Sequence, residues 1–152
     1  ELSLMGRGKI GQLPFNIMTG YMYIDPKYKN FSPEVDLSSS VDYNILKYRF
    51  KHSFKFDSDL SYKQFSIGST LIYNSNMEAV DNVFEILIPG AKVYRAAHNK
   101  GFTILDIRLN YKFNDQIKFA LITKNITNQE YTFRPGLLEA PRNITLRMDA
   151  TL

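Results

Sequence analysis

The chain has 152 residues, of which 44% are hydrophobic and 22% are charged, so its composition is that of one folded domain and not of a disordered segment. It contains no cysteine, which excludes disulfide bonds and thiolate metal sites. The formal net charge of +4 is too small to indicate binding to nucleic acid, and the absence of any run of about 18 apolar residues excludes a membrane-spanning helix.

Apolar and polar residues alternate along most of the chain, which predicts β-strands and no convincing amphipathic helix. In the segment 45–57, ILKYRFKHSFKFD, mostly apolar side chains alternate with mostly basic ones. Because successive side chains of a strand point to opposite faces, this segment predicts one apolar and one basic face. The recurring pattern predicts six strands, with residues 1–5 as the tail of a seventh. The predicted strands are 13–24, 44–57, 63–75, 102–113, 117–126 and 142–152.

The lengths of the predicted strands and of their connections favour a membrane β-barrel. The strands have roughly 10–13 residues, whereas strands of soluble proteins have about 5–6 and a strand that crosses a bilayer needs about 9–11. Short connections at 58–62 and 114–116 alternate with long ones at 25–43, 76–101 and 127–141. In an antiparallel meander, all short turns then lie at one end and all long loops at the other, as in outer-membrane barrels. The alternative is a soluble β-sandwich or lipocalin-like barrel, in which the apolar face points inward.

The order of short motifs along the chain resembles the C-terminal strands of TonB-dependent outer-membrane receptors. Residues 101–152 carry LDIR and YKF in one strand, KNITN and EY beyond the next turn, and PR before the last strand. Upstream, residues 1–28 and the segment LKYRFKHSFKF at 46–56 resemble preceding strands of that family. The resemblance covers nearly the whole chain and depends on the order and spacing of these motifs together.

The resemblance implies an all-β fold, an antiparallel transmembrane β-barrel meander whose six to seven strands are part of a larger barrel. Residues 1–152 are then the C-terminal segment of that barrel, and the plug domain, through which the TonB energy-transducing complex acts, is absent from the sequence. The barrels of this family usually end in an aromatic residue, whereas Leu152, in the predicted lipid-facing register, is not aromatic.

The same resemblance implies a location in the outer membrane of a Gram-negative bacterium, with membrane lipid as a partner. The implied function is active uptake of a scarce small-molecule nutrient, foremost a ferric siderophore or a similar iron chelate. A non-transporting barrel or adhesin, whose long loops bind surfaces or ligands, is the alternative function. A soluble β-rich binding domain is a third hypothesis.

No motif indicates an enzyme, a cofactor or a metal site. The chain has no nucleophile elbow and no glycine-rich phosphate loop, and its two histidines, His52 and His98, are 46 positions apart. We therefore expect a protein without catalytic residues, cofactors or a bound metal.

The best candidate for ligand contacts is the segment 77–101, which lies in the longest predicted loop. It brings Tyr94, Arg95 and His98 close together, an aromatic ring beside cationic donors. Such a mixture suits a ferric chelate, whose ligands are often aromatic and whose net charge is often negative. A solvated loop without a ligand has the same composition, so both interpretations stay open at this point.

Basic residues on the predicted non-lipid faces also have two interpretations. They form a wall that attracts anionic chelates, or they pair with acidic residues of a plug domain. Asp57, Asp106 and Asp149 partly offset their charge. The basic residues of this set are Lys47, Arg49, Lys51, Lys55, Arg108, Lys112, Lys118, Lys124 and Arg147.

Four residues that carry the family resemblance are interpreted as turn and barrel-rim residues without a role in binding. Asparagine favours turns through hydrogen bonds from its side chain to the backbone, and proline suits the start of a strand. These residues are Asn125, Asn128, Pro141 and Arg142.

Overall fold

A computed structural model describes residues 1–32 and 37–151 of the chain. They form an all-β structure, a seven-stranded antiparallel sheet in which each strand pairs with the next one in sequence. The sheet is therefore a meander, as predicted, and it is not closed, since β1 and β7 are its two edges. The elements are β1 (Leu2–Ile10), β2 (Leu13–Tyr23), β3 (His52–Tyr62), β4 (Phe65–Asn74), α1 (Asn82–Leu87), α2 (Ala91–Ala97), β5 (Phe102–Lys112), β6 (Ile117–Lys124) and β7 (Asn143–Ala150).

The strand registers bring the predicted apolar positions of the sheet to one face, called the apolar face below. Residues that pair directly across neighbouring strands point to the same side. One row of such pairs runs across five strands without a polar residue: Leu60, Ile67, Leu109, Leu121 and Leu146. Much of this face is open to the surroundings, and Leu146 on the edge strand β7 is 76% exposed.

The opposite face, the polar face, carries most of the charged side chains of the strands. At its centre, Arg108 of β5 reaches across β4 towards two carboxylates of β3. Its Nη2 lies 3.4 Å from Asp57 Oδ2 and 3.4 Å from Asp59 Oδ1, and its Nη1 donates to Thr70 Oγ1 at 2.7 Å. Gly68 lies beneath the guanidinium, where a Cβ atom would come within 2.8 Å of both Nε and Nη2. This ionic cluster therefore links three neighbouring strands.

Many residues of the predicted basic wall form ion pairs with acidic residues of the same chain. Arg108 pairs with Asp57 and Asp59, Lys112 with Asp115, and Arg147 with Asp149. Lys47 and Lys51 pair with loop carboxylates, Asp81 and Glu78. One interpretation of the sequence paired these basic residues with acidic residues of a plug domain. Their acidic partners instead lie within the described chain.

The predicted strand 44–57 is wrong in its position. The observed strand β3 is His52–Tyr62, so residues 58–62 belong to the strand and the turn is formed by residues 63–64. Tyr48 has φ 62°, a left-handed conformation that breaks an extended run. Leu46 instead donates its N–H to the carbonyl of Pro26, and Ile45 is buried. The alternation of residues 44–51 therefore reflects loop packing, and Lys47, Arg49 and Lys51 do not belong to a strand face.

Two other predictions are corrected at the level of whole elements. Residues 1–5 are not the tail of a strand but part of a full one, Leu2–Ile10. Its alternation is hidden because Gly6 and Gly8 stand at apolar-face positions, where a Cβ atom at Gly8 would meet the Phe15 ring at 2.9 Å. The sequence also predicted no helix, whereas α1 and α2 have 6 and 7 residues. Helices this short have too few turns to show a clear periodicity.

Short and long connections alternate in the structure as predicted. Residues 11–12, 63–64 and 113–116 form short turns at one end of the sheet, and the long connections gather at the other end. We call the long connections the loop cap: residues 24–51, 75–101 and 125–142. Residues 33–36 of the predicted loop 25–43, and Leu152, lie outside the described residues. Buried apolar side chains concentrate in and beneath this cap: Ile45, Met77, Ala79, Val80, Phe102 and Ile104.

Across the described ranges, no helix is both long enough and apolar enough to span a bilayer.

We expect Gly68→Ala to disturb the ionic cluster, because its methyl group would occupy space held by the Asp59 carboxylate and the Arg108 guanidinium. Gly20→Ala is the matched control, since a Cβ atom there would meet only the Leu2 carbonyl oxygen at 4.0 Å. Alanine generally stabilises a strand relative to glycine, so Gly20→Ala should raise the free energy of unfolding by about 0.5–1 kcal/mol. The free energy of unfolding of Gly68→Ala should be about 1 kcal/mol lower than that of Gly20→Ala, because this is the scale of partly exposed ion pairs.

Urea unfolding of the purified protein measures both effects. Repeating Gly68→Ala in an Arg108→Met background should restore the gain seen at Gly20. Equal stability changes at the two glycines in the Arg108 protein would contradict the role assigned to the cluster.

Candidate functional site

Asp81 connects the first long loop of the cap to the second. Its carboxylate accepts a hydrogen bond from the Tyr48 hydroxyl and lies 2.7 Å from the Nζ of Lys47. These hydrogen bonds, from Lys47 first and then Tyr48, hold the pKa of Asp81 below its usual value. Burial first, and then the hydrogen bond to Asp81, raise the pKa of Tyr48. The carboxylate is therefore charged, and the phenol neutral, throughout the neutral range.

A second ion pair supports the same contact between the two loops. Glu78 lies 2.6 Å from the Nζ of Lys51 and accepts a hydrogen bond of 2.8 Å from the Tyr43 hydroxyl. Burial alone would raise the pKa of Glu78, but the hydrogen bonds from Lys51 and Tyr43 outweigh it and lower the pKa. Both of these ion-pair contacts between the two loops depend on ionised carboxylates, and backbone hydrogen bonds such as that from the Tyr48 N–H to the Ala79 carbonyl join the same loops.

Arg95 holds the second loop together from within. Its Nε donates to Glu85 Oε1 at 2.9 Å, which joins α2 to α1. Its Nη2 donates to the backbone carbonyls of Met77 and Glu78, each at 3.1 Å. The guanidinium therefore binds the chain itself at three points, and its charge is offset by a carboxylate that is only 17% exposed.

The third long loop is shaped by two asparagines with left-handed backbone conformations. Asn125 (φ 49°) is 2% exposed, its Nδ2 donates to the Gln129 carbonyl, and its Oδ1 accepts from the Gln129 N–H, each at 2.9 Å. Asn128 (φ 53°) accepts a hydrogen bond of 2.9 Å from the N–H of Arg142, just before β7 begins. Their predicted role as turn residues is confirmed.

A cavity of about 330 Å³ lies between the second and third long loops. Its aromatic floor is centred on Phe102, whose ring centroid lies 6.0 Å from that of Phe50 and 5.1 Å from that of Tyr131. Phe102 belongs to the same register as Arg108, so the cavity lies on the polar-face side of the sheet. The remaining walls are mostly apolar and include Phe84, Ile88, Pro89, Leu137 and Leu138.

Gly136 allows the third loop to approach the wall of this cavity. Its φ is 76°, a conformation that side-chain-bearing residues rarely adopt, and a Cβ atom there would lie 2.5 Å from Ile88 Cδ1. The close approach of the two loops therefore requires glycine at this position.

Tyr94 and His98 form a stacked pair at the side of the cavity, one helical turn apart on α2 and its C-terminal cap. Their ring centroids are 4.1 Å apart, with an angle of 22° between the planes. His98 Nδ1 lies 2.9 Å from the Tyr94 carbonyl oxygen. Because a carbonyl oxygen only accepts, Nδ1 carries the proton, and Nε2 is an acceptor in the neutral ring. Burial, followed by the nearby Glu130 carboxylate, raises the pKa of the Tyr94 phenol.

The structure brings all three predicted ligand-binding residues to the wall of one cavity. Tyr94, Arg95 and His98 all line it. They differ in the groups that they present to the cavity, because the hydrogen bonds of Arg95 described above go to other residues of its own loop. Tyr94 and His98 present a stacked aromatic pair with a phenol hydroxyl and an imidazole Nε2. Their binding role stays a prediction.

Several lining residues were not predicted from the sequence. Tyr131 belongs to the EY motif, which was assigned only to the family resemblance, and Asn76 carries no sequence signal. A signal for Phe102 does exist, because Phe102 and Ile104 are apolar on the register that is otherwise polar in 102–113. Apolar side chains on that register indicate that this end of the polar face is covered by other parts of the chain.

Neither a comparison with models of known protein families nor a comparison with curated protein sequences found a match for this chain.

We expect the contact between the first two long loops to weaken in acid. The folded pKa of Asp81 is lowered, so its stabilising effect is complete above the unfolded pKa of about 3.9 and is lost as the pH falls through the folded value. Asp81→Asn should lower the thermal unfolding midpoint at pH 7, and the difference from the unmodified protein should shrink towards pH 2.

Asp115→Asn is the matched control for this pH series. Asp115 also has a lowered pKa, caused by Lys112, but its side chain is 94% exposed in a turn, so solvent screens the pair. Its replacement should change the midpoint far less at pH 7. A deficit in Asp81→Asn that stays constant down to pH 2 would contradict the assigned ionic contact.

We expect Arg95→Met to loosen the second long loop, because it removes three hydrogen bonds and leaves the partly buried Glu85 carboxylate without its cation. The local cost should be roughly 1–3 kcal/mol, the scale for an unsatisfied buried polar group. Amide hydrogen exchange across residues 82–97 measures it. Lys92→Met, on the exposed side of the same helix, should leave that exchange unchanged, and equal exchange in both variants would contradict the prediction.

Proposed function

We propose that this chain forms the C-terminal part of the β-barrel of a TonB-dependent outer-membrane receptor, which takes up a scarce nutrient. The observation that carries the proposal is the apolar face, which extends across the meander while charged residues lie on the other face. Outer-membrane barrels have this division, with lipid on one side of each strand and the lumen on the other.

The length of the strands supports a bilayer as the medium on the apolar face. The seven strands have between 8 and 11 residues. Strands that cross a bilayer need about 9–11 residues at a tilt of about 45°. An open apolar surface of this extent is unusual in a soluble monomer, whose largest patch is commonly about 300–600 Å².

The distribution of aromatic residues on the apolar face gives independent support. Aliphatic side chains such as Ile67, Leu71 and Leu109 make up most of its middle, which also holds the hydrogen-bonded hydroxyls of Ser58 and Ser69, and aromatic side chains flank it at both ends. In β4 the flanking residues are Phe65 and Tyr73, eight positions apart, which is about 26 Å along a strand. Outer-membrane barrels have an apolar band about 25 Å tall between two aromatic girdles. Further aromatic residues are Tyr21, Tyr23 and Phe54 at the long-loop end, and Phe15, Tyr62, Tyr111 and Phe119 at the short-turn end, whereas Phe56 lies further in and pairs with Leu71.

In this proposal the short turns face the periplasm and the loop cap faces the outside of a Gram-negative cell. The polar face lines the lumen, where the carboxylates of Asp57 and Asp59 offset the charge of Arg108. Energy from the TonB complex is delivered through a plug domain, as the family resemblance implies. The nutrient hypothesis of a ferric chelate depends most on Tyr94 and His98, because the contacts of Arg95 are directed into the loop.

The uptake hypothesis is tested in cells that carry the full-length gene product. Deletion of the gene should reduce growth under iron limitation, and a supplied ferric chelate should restore growth only in cells that carry the gene. Equal growth of the deletion and parent strains on each iron source would favour the alternative of a non-transporting barrel or adhesin.

We expect arginine to be poorly tolerated on the apolar face and well tolerated on the polar face. Leu146→Arg should cost roughly 2–4 kcal/mol if this position lies near the bilayer midplane. Thr145→Arg, one position away on the same exposed strand, should cost far less because its side chain points to the other face. Leu109→Arg and Asn110→Arg form a second pair inside the sheet. Refolding into lipid vesicles across a urea series measures the difference, and equal penalties on both faces would refute the barrel.

A further inference from the structure

We propose that the cavity between the second and third long loops binds an uncharged, ring-containing small molecule that carries hydroxyl or amide groups. The inference goes beyond the proposed function, because it depends on the residues that line the cavity and not on where the sheet lies. It also names a ligand chemistry different from that of an anionic ferric chelate.

The charges at the cavity disfavour an anion. Arg95 is the one arginine or lysine among the described lining residues, and its guanidinium is paired with Glu85. Glu130, also in the lining, adds a negative charge. An anionic group in this cavity would lose its hydration and face a carboxylate without an unpaired cation to compensate it, which is unfavourable.

Neutral hydrogen-bonding groups line the same cavity and have partners to gain. The Asn76 amide, the Thr132 hydroxyl and the Tyr94 hydroxyl are partly buried, and none forms a side-chain hydrogen bond with another described residue. The Nε2 atom of His98 also forms no hydrogen bond with another described residue, since only Nδ1 is hydrogen-bonded. Partly buried polar groups of this kind are satisfied by water or by a ligand, and a neutral ligand with hydroxyl or amide groups matches them.

The floor and size of the cavity favour a ring. The ring centroid of Phe102 lies 6.0 Å from that of Phe50 and 5.1 Å from that of Tyr131, and all three rings line the cavity. Aromatic side chains prefer offset-stacked or edge-to-face contacts with other rings. A volume of about 330 Å³ is at the lower end of the range for sites that bind small molecules. A compact ring system with one polar group therefore fits both the shape and the chemistry.

The experiment compares 2-naphthamide with 2-naphthoate, which share a ring system and differ in charge. Saturation-transfer NMR titrations on the full-length protein in lipid nanodiscs, with empty nanodiscs as the blank, give the dissociation constants. We expect 2-naphthamide to bind at least about tenfold more tightly, a difference of about 1.4 kcal/mol. Tighter binding of 2-naphthoate would overturn the proposal in favour of an anion site, and equal binding would overturn it as well.

Two matched pairs of variants locate the bound probe. Ala91 lines the cavity, whereas Ala96 is exposed on the same helix and does not. Ala91→Trp should weaken 2-naphthamide binding at least about tenfold, and Ala96→Trp should leave it unchanged. Asn76→Leu removes the lining amide, whereas Asn99→Leu makes the same change on an exposed turn outside the cavity. Only Asn76→Leu should weaken 2-naphthamide while leaving 2-naphthoate unaffected.

Unchanged binding in both Ala91→Trp and Asn76→Leu would place the probe elsewhere, for example on the apolar face, and would overturn the assignment. Because Asn76→Leu keeps the size of the side chain, it tests the cavity even if Ala91→Trp fails to fold. Failure of the arginine series on the two sheet faces would refute the membrane barrel; the same titrations on the purified protein without nanodiscs would still test the cavity, so the two proposals can fail separately.

Discussion

The register between neighbouring strands decides which face each side chain of the sheet occupies. Side chains alternate with a period of two, so a slip of one residue in any pair would carry the apolar residues of one strand to the polar face. The registers observed here keep Leu60, Ile67, Leu109, Leu121 and Leu146 in a single row. The Arg108 cluster is compatible only with this alignment, because the guanidinium passes over Gly68 to reach the carboxylates of β3. Apolar alternation and ion pairing therefore select the same register from opposite faces.

The sheet has little buried interior of its own, and the packed part of the molecule is the loop cap. Val80 and Ala79 are among the most deeply buried side chains, at 0% and 1% exposure, and both lie in the second long loop. That loop is fastened by Asp81 and Glu78 to its neighbour and by Arg95 to itself. The apolar face, in contrast, is covered by nothing in the described chain. The packing of the cap therefore holds the cavity in place at one end of the sheet. The contacts of the apolar face depend on the medium that surrounds it.

Strand alternation alone predicted the all-β class, the meander and the uneven connections, because period-two patterning is a local property of the sequence. It failed at 44–51, where a loop shows the same alternation as a strand. The left-handed conformation of Tyr48 and the hydrogen bond between Leu46 and Pro26 are tertiary effects that a local pattern does not contain. It also missed most of β1, because Gly6 and Gly8 stand at positions where the pattern needs apolar side chains. Ile17 and Phe15 of β2 pair with these glycines.

The candidate site was predictable in its location but not in its chemistry. The length of the second loop and its clustered Tyr94, Arg95 and His98 pointed to residues that line the cavity, and their role in binding stays a prediction. The partners of Arg95 lie 10 to 18 positions away in sequence, so no local pattern shows that its donors are already used. The opposite wall comes from residues 130–138, which only the folded chain brings near.

The two edges of the sheet impose a rule of parity on any barrel that contains it. Seven strands of an antiparallel meander alternate in direction, so β1 and β7 run the same way. Joined directly, they would form a parallel seam in an otherwise antiparallel ladder. A fully antiparallel ring must therefore insert an odd number of strands between these edges, which makes its total even. The strand beside β1 must run towards the loop cap, so a direct link from that strand to β1 would add one more loop to the cap's side of the ring.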